Sequence, residues 1–273
     1  SGSLTQITFD NNNSNGRTFL EWIKVDGKEL IDSNVTINTP SIAPTGCSVG
    51  TKQGFSIIKW QGDGSNANRT VPHGLLEAPS FVIVKPLSEA NRHWLIWHKG
   101  YNDDDAAMLF DTGIPAGSRF GPNAPTSSVF GVYGGQGNRG TTDFIGYCWH
   151  DVPGLQKFGS FTGNGGSGDG GTFIELGFRP AIILFRNISR SDGPWHIHDT
   201  ARYPQNPSIH TLEPHTFDTE SSSPTSRQID ILSNGFKTRG TSVAMNADGS
   251  TIIYAAWAEA PSINLYGAQA NAR

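Results

Sequence analysis

The sequence predicts an all-β fold: two related β-sandwich units produced by an internal duplication, preceded by an N-terminal strand segment. Three observations carry this. Glycine (33) and proline (16) are abundant while only 16% of residues are charged, a composition suited to short strands joined by tight turns. Apolar runs of strand length alternate with clusters of Gly, Asn, Asp and Ser. The chain also matches itself when shifted by about a hundred residues, as a repeated structural unit requires.

The N-terminal segment, 1–45, differs from the rest. Strands are expected at 5–9, 18–24 and 28–31, with Val25-Asp26-Gly27-Lys28 turning a hairpin between the last two, because Asp-Gly accepts the positive φ of a two-residue loop. Thr39-Pro40-Ser41-Ile42-Ala43-Pro44-Thr45 reads as an extended linker, since proline restricts itself and its predecessor.

The two sandwich units are expected at 46–154 and 155–273, the second carrying a C-terminal tail. A shift of 101 aligns 56–98 with 157–199 without a gap and matches Gly62 with Gly163, Gly64 with Gly165, Leu75 with Leu176, Pro79 with Pro180, Ser88 with Ser189, Trp94 with Trp195 and Ile96 with Ile197. A shift of 108 then superposes Ile145–Pro153 on Ile253–Pro261, which puts a seven-residue insertion in the polar stretch 200–227. The first unit offers strands at 55–60, 80–86, 94–98, 107–111, 128–133 and 143–149; the second at 157–162, 181–187, 195–199, 229–232, 235–239 and 251–257. Val82-Ile83-Val84 and Ile182-Ile183-Leu184 are apolar on consecutive residues, so both faces of those strands should be covered. Two separate sandwiches and one continuous concanavalin-like or jelly-roll body both satisfy the pattern.

Charge and cysteine content narrow the function. The net charge is −4 and the Lys and Arg residues are scattered, so no basic stripe exists to hold a phosphate backbone, and nucleic acid is not an expected partner. No apolar run approaches the roughly 20 residues that span a bilayer, so membrane insertion is not expected. Cys47 and Cys148 are too few for a disulfide framework and lack metal-ligand spacing, and are read as reduced thiols.

The chemistry-bearing patterns favour binding over catalysis. Gly135-x-Gly137-x-x-Gly140 and Gly163-x-Gly165-x-x-Gly168 match a dinucleotide fingerprint in letters, but neither is expected to open a helix, which is what presents N–H groups to a pyrophosphate. His196 and His198 lie two apart on an expected strand and share a face; such a pair can begin a zinc site, but its remaining ligands cannot be assigned, and metal content stays open. Asn102-Asp103-Asp104-Asp105 lacks the glycine and closing Glu of a calcium loop. There is no Glu-x-Asp-x-Glu string and no Gly-x-Ser-x-Gly elbow, and Asp218 and Glu220 fall in a Ser/Thr/Pro-rich loop, so no enzyme activity and no cofactor is expected. Trp94 with Trp195 and Trp149 with Trp257 occupy matched repeat positions and are read as core. Trp97 aligns with polar His198 and is expected to face outward, which makes Trp97, His196 and His198 candidate ligand contacts, an exposed ring being a stacking surface for a sugar.

The run Phe144–Gly165, with Gly146-Tyr147-Cys148-Trp149-His150-Asp151-Val152-Pro153-Gly154 at its centre, resembles a C-terminal module of phage tail-fibre and virion structural proteins of the marine and cyanobacterial phage type. So do Gly177-Phe178-Arg179-Pro180, Asp199-Thr200-Ala201-Arg202-Tyr203-Pro204-x-Asn206-Pro207, Leu232-Ser233-Asn234-Gly235-Phe236-Lys237 and Tyr254-Ala255-Ala256-Trp257-Ala258-Glu259-Ala260-Pro261. The resemblance implies a receptor-binding role at the virion surface, adhesion to a host-surface glycan or outer-membrane component, contact with other tail proteins, and homo-trimers by analogy. A structural connector or decoration protein and a polysaccharide depolymerase are the alternatives. Asp199 and Arg202 match the family motif; they serve either as ligand contacts or as an ion pair bracing the loop 200–207.

Overall fold

The computed structural model describes residues 24–25, 28–29, 40–89, 92–101, 108–110, 119–191, 193–222 and 225–261. The chain divides into two compact units, Ser1–Asn38 and Thr39–Arg273. In the first, β1 (Lys24–Val25) and β2 (Lys28–Glu29) pair antiparallel with Val25 opposite Lys28, the register that the expected Asp-Gly hairpin demands. The strand expected at 5–9, residues 18–23 of the one expected at 18–24 and residues 30–31 of the one expected at 28–31 lie outside the described residues.

In the second unit the strands are β3 (Gly46–Gly50), β4 (Phe55–Gln61), β5 (Arg69–Pro72), β6 (Phe81–Pro86), β7 (Leu95–His98), β8 (Met108–Leu109), β9 (Val129–Val132) and β10 (Asp143–Trp149). They continue as β11 (Gln156–Thr162), β12 (Phe173–Glu175), β13 (Pro180–Asn187), β14 (Trp195–Asp199), β15 (His210–Thr211), β16 (Ser221–Ser222), β17 (Ile229–Leu232), β18 (Gly235–Thr238) and β19 (Thr251–Ala258). The fold is all-β and antiparallel, with one-turn helices α1 (Gly134–Gly137) and α2 (Val243–Asn246) and a 3-10 turn at Gly168–Gly170 among the described residues. Both glycine patterns therefore touch a helical turn, the first at α1, which stops at Asn138, and the second at the single 3-10 turn that begins at Gly168. Among the described residues no helix is long and apolar enough to cross a membrane.

A six-stranded sheet runs β3-β4-β10-β6-β7-β8 and a four-stranded sheet β11-β19-β13-β14; β5-β9 and β12-β18-β17 form smaller sheets. The order β4-β10-β6-β7 reappears as β11-β19-β13-β14, and the registers agree as well. Gln61 faces Asp143 where Thr162 faces Thr251, and Pro86 faces Phe144 where Asn187 faces Ile252. Ile83 faces Ile96 where Leu184 faces Ile197, and Pro72 faces Val129 where Phe173 faces Lys237. Offsets of 101 before the loop 200–227 and 108 after it carry each pair onto its counterpart.

Three buried clusters explain why the strands read as unbroken apolar runs. The first holds Trp60, Val71, Val82, Val84, Phe130 and Phe144, from the six-stranded sheet and β5-β9; the second holds Ile174, Phe185, Phe236, Ile252, Tyr254 and Ala256, from the four-stranded sheet and its neighbour. The third joins the two large sheets through Phe81, Ile96, Phe158, Leu184, Ile253 and Ala255. Each central strand thus feeds alternate residues to two cores, Val82 and Val84 to one and Phe81 to another. The expected linker is no free spacer: Ile42 is buried in the first core and its N–H donates to the Thr70 carbonyl at 3.0 Å.

Matching loops close the two halves. Asn138 donates to the Asp63 carboxylate at 2.6 Å and accepts from the Asp63 N–H, while Asn246 donates to the Asn164 amide oxygen at 2.7 Å and accepts from the Asn164 N–H. The glycine beside each network has no room for a side chain. A Cβ on Gly62 would meet the Arg139 carbonyl oxygen at 2.1 Å, and one on Gly163 the Ala247 carbonyl oxygen at 2.1 Å. Gly62→Ala and Gly163→Ala are each expected to destabilise the chain by about 1–3 kcal/mol, because the obstacle is backbone. Chemical denaturation checks this, and an unchanged midpoint for both variants would show that the loops yield freely.

Candidate functional site

Strand β10 puts Gly146 and Cys148 on one face with Phe144. Phe144 and Cys148 enter the first core, as does the space over Gly146, where a Cβ would meet the Trp60 ring at 2.9 Å. Ile145, Tyr147 and Trp149 point to the opposite face. Pairing then sets Phe55 and Phe81 beside Trp149, Ile57 and Ile83 beside Tyr147, and Lys59 and Lys85 beside Ile145.

The four-stranded sheet covers only one side of this face, burying Phe81, Ile96 and Met108 in the third core. On the other side Phe55, Ile57, Ile145, Tyr147 and Trp149 remain half-buried, Lys59 is exposed, and Trp94 is 38% exposed. The rings form a row. Phe55 and Trp149 lie 4.9 Å apart, Tyr147 and Trp149 6.2 Å, and Trp94 and Tyr147 6.3 Å, with neighbouring planes within 33° of each other. The Lys85 ammonium stands 5.6 Å from the Trp94 ring centroid, and Trp257 abuts Trp149 edge-on at 6.1 Å.

The second half holds the same pair in a sealed setting. Arg186 lies over Trp195 at 5.5 Å, at the positions equivalent to Lys85 and Trp94, but both are buried. The Trp195 indole N–H donates to the Leu109 carbonyl at 2.7 Å and an Arg186 N–H donates to the same oxygen at 3.1 Å. Strand β8 therefore closes on the second half's tryptophan, whereas Trp94 stays open to solvent.

These placements correct the sequence reading in three respects. Trp97, expected to face outward, is 4% exposed and packs in the first core. It shares its parity with Leu95, and β5-β9 covers that side of the sheet. Trp94, taken as core, is the accessible tryptophan of β7's approach. His196 and His198 share a face as expected, but both are fully buried and so cannot touch a ligand from solution.

The stretch 200–227 accounts for the burial of the histidines. His198 stacks on Phe185 at 5.8 Å, with its ring nitrogens against the Ser208 hydroxyl at 3.1 Å and the Thr211 hydroxyl at 3.2 Å. His196 packs on Phe185 at 5.3 Å, and neither of its ring nitrogens has a hydrogen-bond partner among the described residues. Burial, with Arg227, His198 and His215 adding repulsion, pulls the His196 pKa down to about 3; burial and Arg202 do the same for His198, against the opposing pull of Asp199. Asp199 and Arg202 form the ion pair that braces the loop: the Arg202 N–H donates to one carboxylate oxygen at 2.8 Å and the guanidinium binds the other. Burial of Asp199 favours its neutral form, yet these hydrogen bonds prevail and hold its pKa below the usual value. Glu220 adds a second bond to Arg202 and one to His210 at 2.8 Å. Among the described residues no group of three or more His, Cys, Asp or Glu side chains is arranged to hold a metal ion. Asn102–Asp105 lies outside the described residues.

A family model described as "Domain of unknown function (DUF7483)" matches residues 2–261. Comparison with curated proteins and with solved structures gives no match. The match spans the N-terminal hairpin, both large sheets and every residue of the open aromatic face, so this chain belongs to the DUF7483 family.

Proposed function

We propose that this chain is a receptor-binding module of a phage tail fibre or related virion surface protein, and that it adheres to a host-surface glycan through the open aromatic face of the six-stranded sheet. The row of four rings, Phe55, Trp149, Tyr147 and Trp94, supports this reading most. Phe55 stacks on Trp149 and Trp149 on Tyr147, so these rings brace one another, and Trp94 at the end of the row, 38% exposed, offers a ring face on which a sugar can pack its C–H face while its hydroxyls stay wet. A sheet pinned between two buried cores holds the rings without the ordering cost a loop would incur on binding. The tail-fibre resemblance of Phe144–Gly165 includes the strand that carries Tyr147 and Trp149. Several copies per particle would multiply weak single-site binding.

The test is binding of the purified chain to host cells and to arrayed host polysaccharides, alongside an assay for released reducing ends. Adhesion without release is the expected result, and Trp94→Ala with Tyr147→Ala is expected to weaken it by at least about tenfold, the loss that follows when a central contact is removed. A blank array and no cell binding would favour a structural connector; release of reducing ends would favour a depolymerase.

A further inference from the structure

We propose that two copies of this chain join edge to edge through β3, running antiparallel about a two-fold axis at Ser48, so that the six-stranded sheet of one copy continues into that of the other. An outer strand presents unpaired backbone groups, and a chain that stays single covers or charges them. Three of the four outer strands of the two large sheets are covered in this way. Leu109 of β8 gives its carbonyl to Trp195 and Arg186, the Asp151 carboxylate accepts the Phe158 N–H of β11 at 2.8 Å, and Ile197 of β14 exchanges backbone bonds with Leu212 at 2.9 and 3.1 Å. Among the described residues β3 bonds only to β4; it carries no charge and no proline, and it is exposed from Gly46 to Val49.

The strand's own sequence selects a second copy as the occupant. Residues 45–51, Thr-Gly-Cys-Ser-Val-Gly-Thr, read almost alike in both directions. A two-fold axis at Ser48 sets Thr45 opposite Thr51, Gly46 opposite Gly50, Cys47 opposite Val49 and Ser48 opposite Ser48 of the other copy, the self-complementarity that an isologous contact requires. Outward backbone groups alternate along an antiparallel edge, and this centre matches outward residue with outward residue for either parity. Cys47 and Val49 lie opposite Ile58 and Ser56, on the side of the first core, so the axis creates two Cys47–Val49 contacts there. Leu76, 77% exposed, adds apolar surface in the loop where a Cβ on Gly74 would meet the Val49 side chain at 2.7 Å. Gly46, Ser48 and Gly50 lie opposite Lys59, Ile57 and Phe55, so only small residues separate the two aromatic faces, whose β4 strands would stand about 14 Å apart on one side of the joined sheet. The contact does not depend on what those faces bind.

Sedimentation of the full chain tests the inference. At about 100 μM the mass is expected to be twice the 29.4 kDa of one chain, falling toward the single-chain value on dilution. Ser48→Lys and Ser48→Glu should each sediment as single chains, because like charges would face each other across the axis about 5 Å apart, and each should keep the melting temperature of the unaltered monomer, since position 48 is exposed. An equimolar mixture of the two variants should regain the doubled mass as opposite charges meet. A single-chain or three-chain mass for the unaltered protein, a doubled mass that persists in both variants, or a mixture that stays single overturns the proposal.

Discussion

Acidification from pH 7 to pH 5 is expected to unfold this chain. His73, His98, His196 and His198 are all fully or almost fully buried, and burial lowers the pKa of the first two to about 4 and of the last two to about 3. In the unfolded chain each returns to about 6.5, so below that pH the unfolded state binds protons that the folded state refuses. Stability is therefore complete above about pH 6.5 and declines as the pH falls toward the folded values. At pH 5 each histidine has forfeited about 2 kcal/mol, and the four together about 8 kcal/mol, comparable to the whole stability of a typical domain. The folded state has no easy accommodation. His98 is fixed to the Tyr254 carbonyl at 3.0 Å inside the contact between the two large sheets, and the ring of His196 faces Arg227, His198 and His215. Melting curves by circular dichroism should be level between pH 8 and 7 and drop steeply below about pH 6. A midpoint that holds down to pH 5 would mean these rings can charge in place.

Replacing Trp195 with alanine is expected to destabilise the chain by about 3–5 kcal/mol, and replacing Trp94 by about 1 kcal/mol or less. The two occupy equivalent positions on β14 and just before β7, yet Trp195 is 1% exposed and Trp94 38%. Removing the first leaves a cavity beneath Phe110 and takes one of the two donors from the Leu109 carbonyl. Removing the second takes a ring from a surface already half open. Binding should respond in the opposite order, with loss confined to Trp94→Ala once Trp195→Ala is measured below its melting temperature. Equal stability losses would show that the two faces are closed alike.

Strand positions were legible in the sequence because the pattern of apolar runs and glycine-rich breaks is local. Asp143–Trp149, Trp195–Asp199 and Ile229–Leu232 lie where that pattern puts them. β3, β5, β12, β15 and β16 escaped it: each is five residues or fewer, β3 is exposed and bounded by glycines, and β5 ends in proline. Parity was legible too, but not cover. Alternation states that Trp94 and Trp97 face opposite ways, while which side is sealed depends on β5 and β9, brought there from distant parts of the chain. The same reasoning explains the histidines, whose shared face was readable and whose burial beneath the 200–227 stretch was not. A signal for the open face did exist. Tyr147 and Trp149 alternate with Gly146 and Cys148, and small residues on one parity mark the side where neighbouring rings, here Trp60, fill the core.

The unequal closure of two matching sheets divides labour within one polypeptide. Cohesion resides where Phe158, Leu184, Trp195 and Ile253 are locked between the layers, while positions 55, 57, 94, 145 and 147 border water. Exchanging side chains at those five sites changes what the water-facing side of the sheet presents with little strain on the framework; on the adhesion reading proposed above, specificity could then drift while the architecture persists.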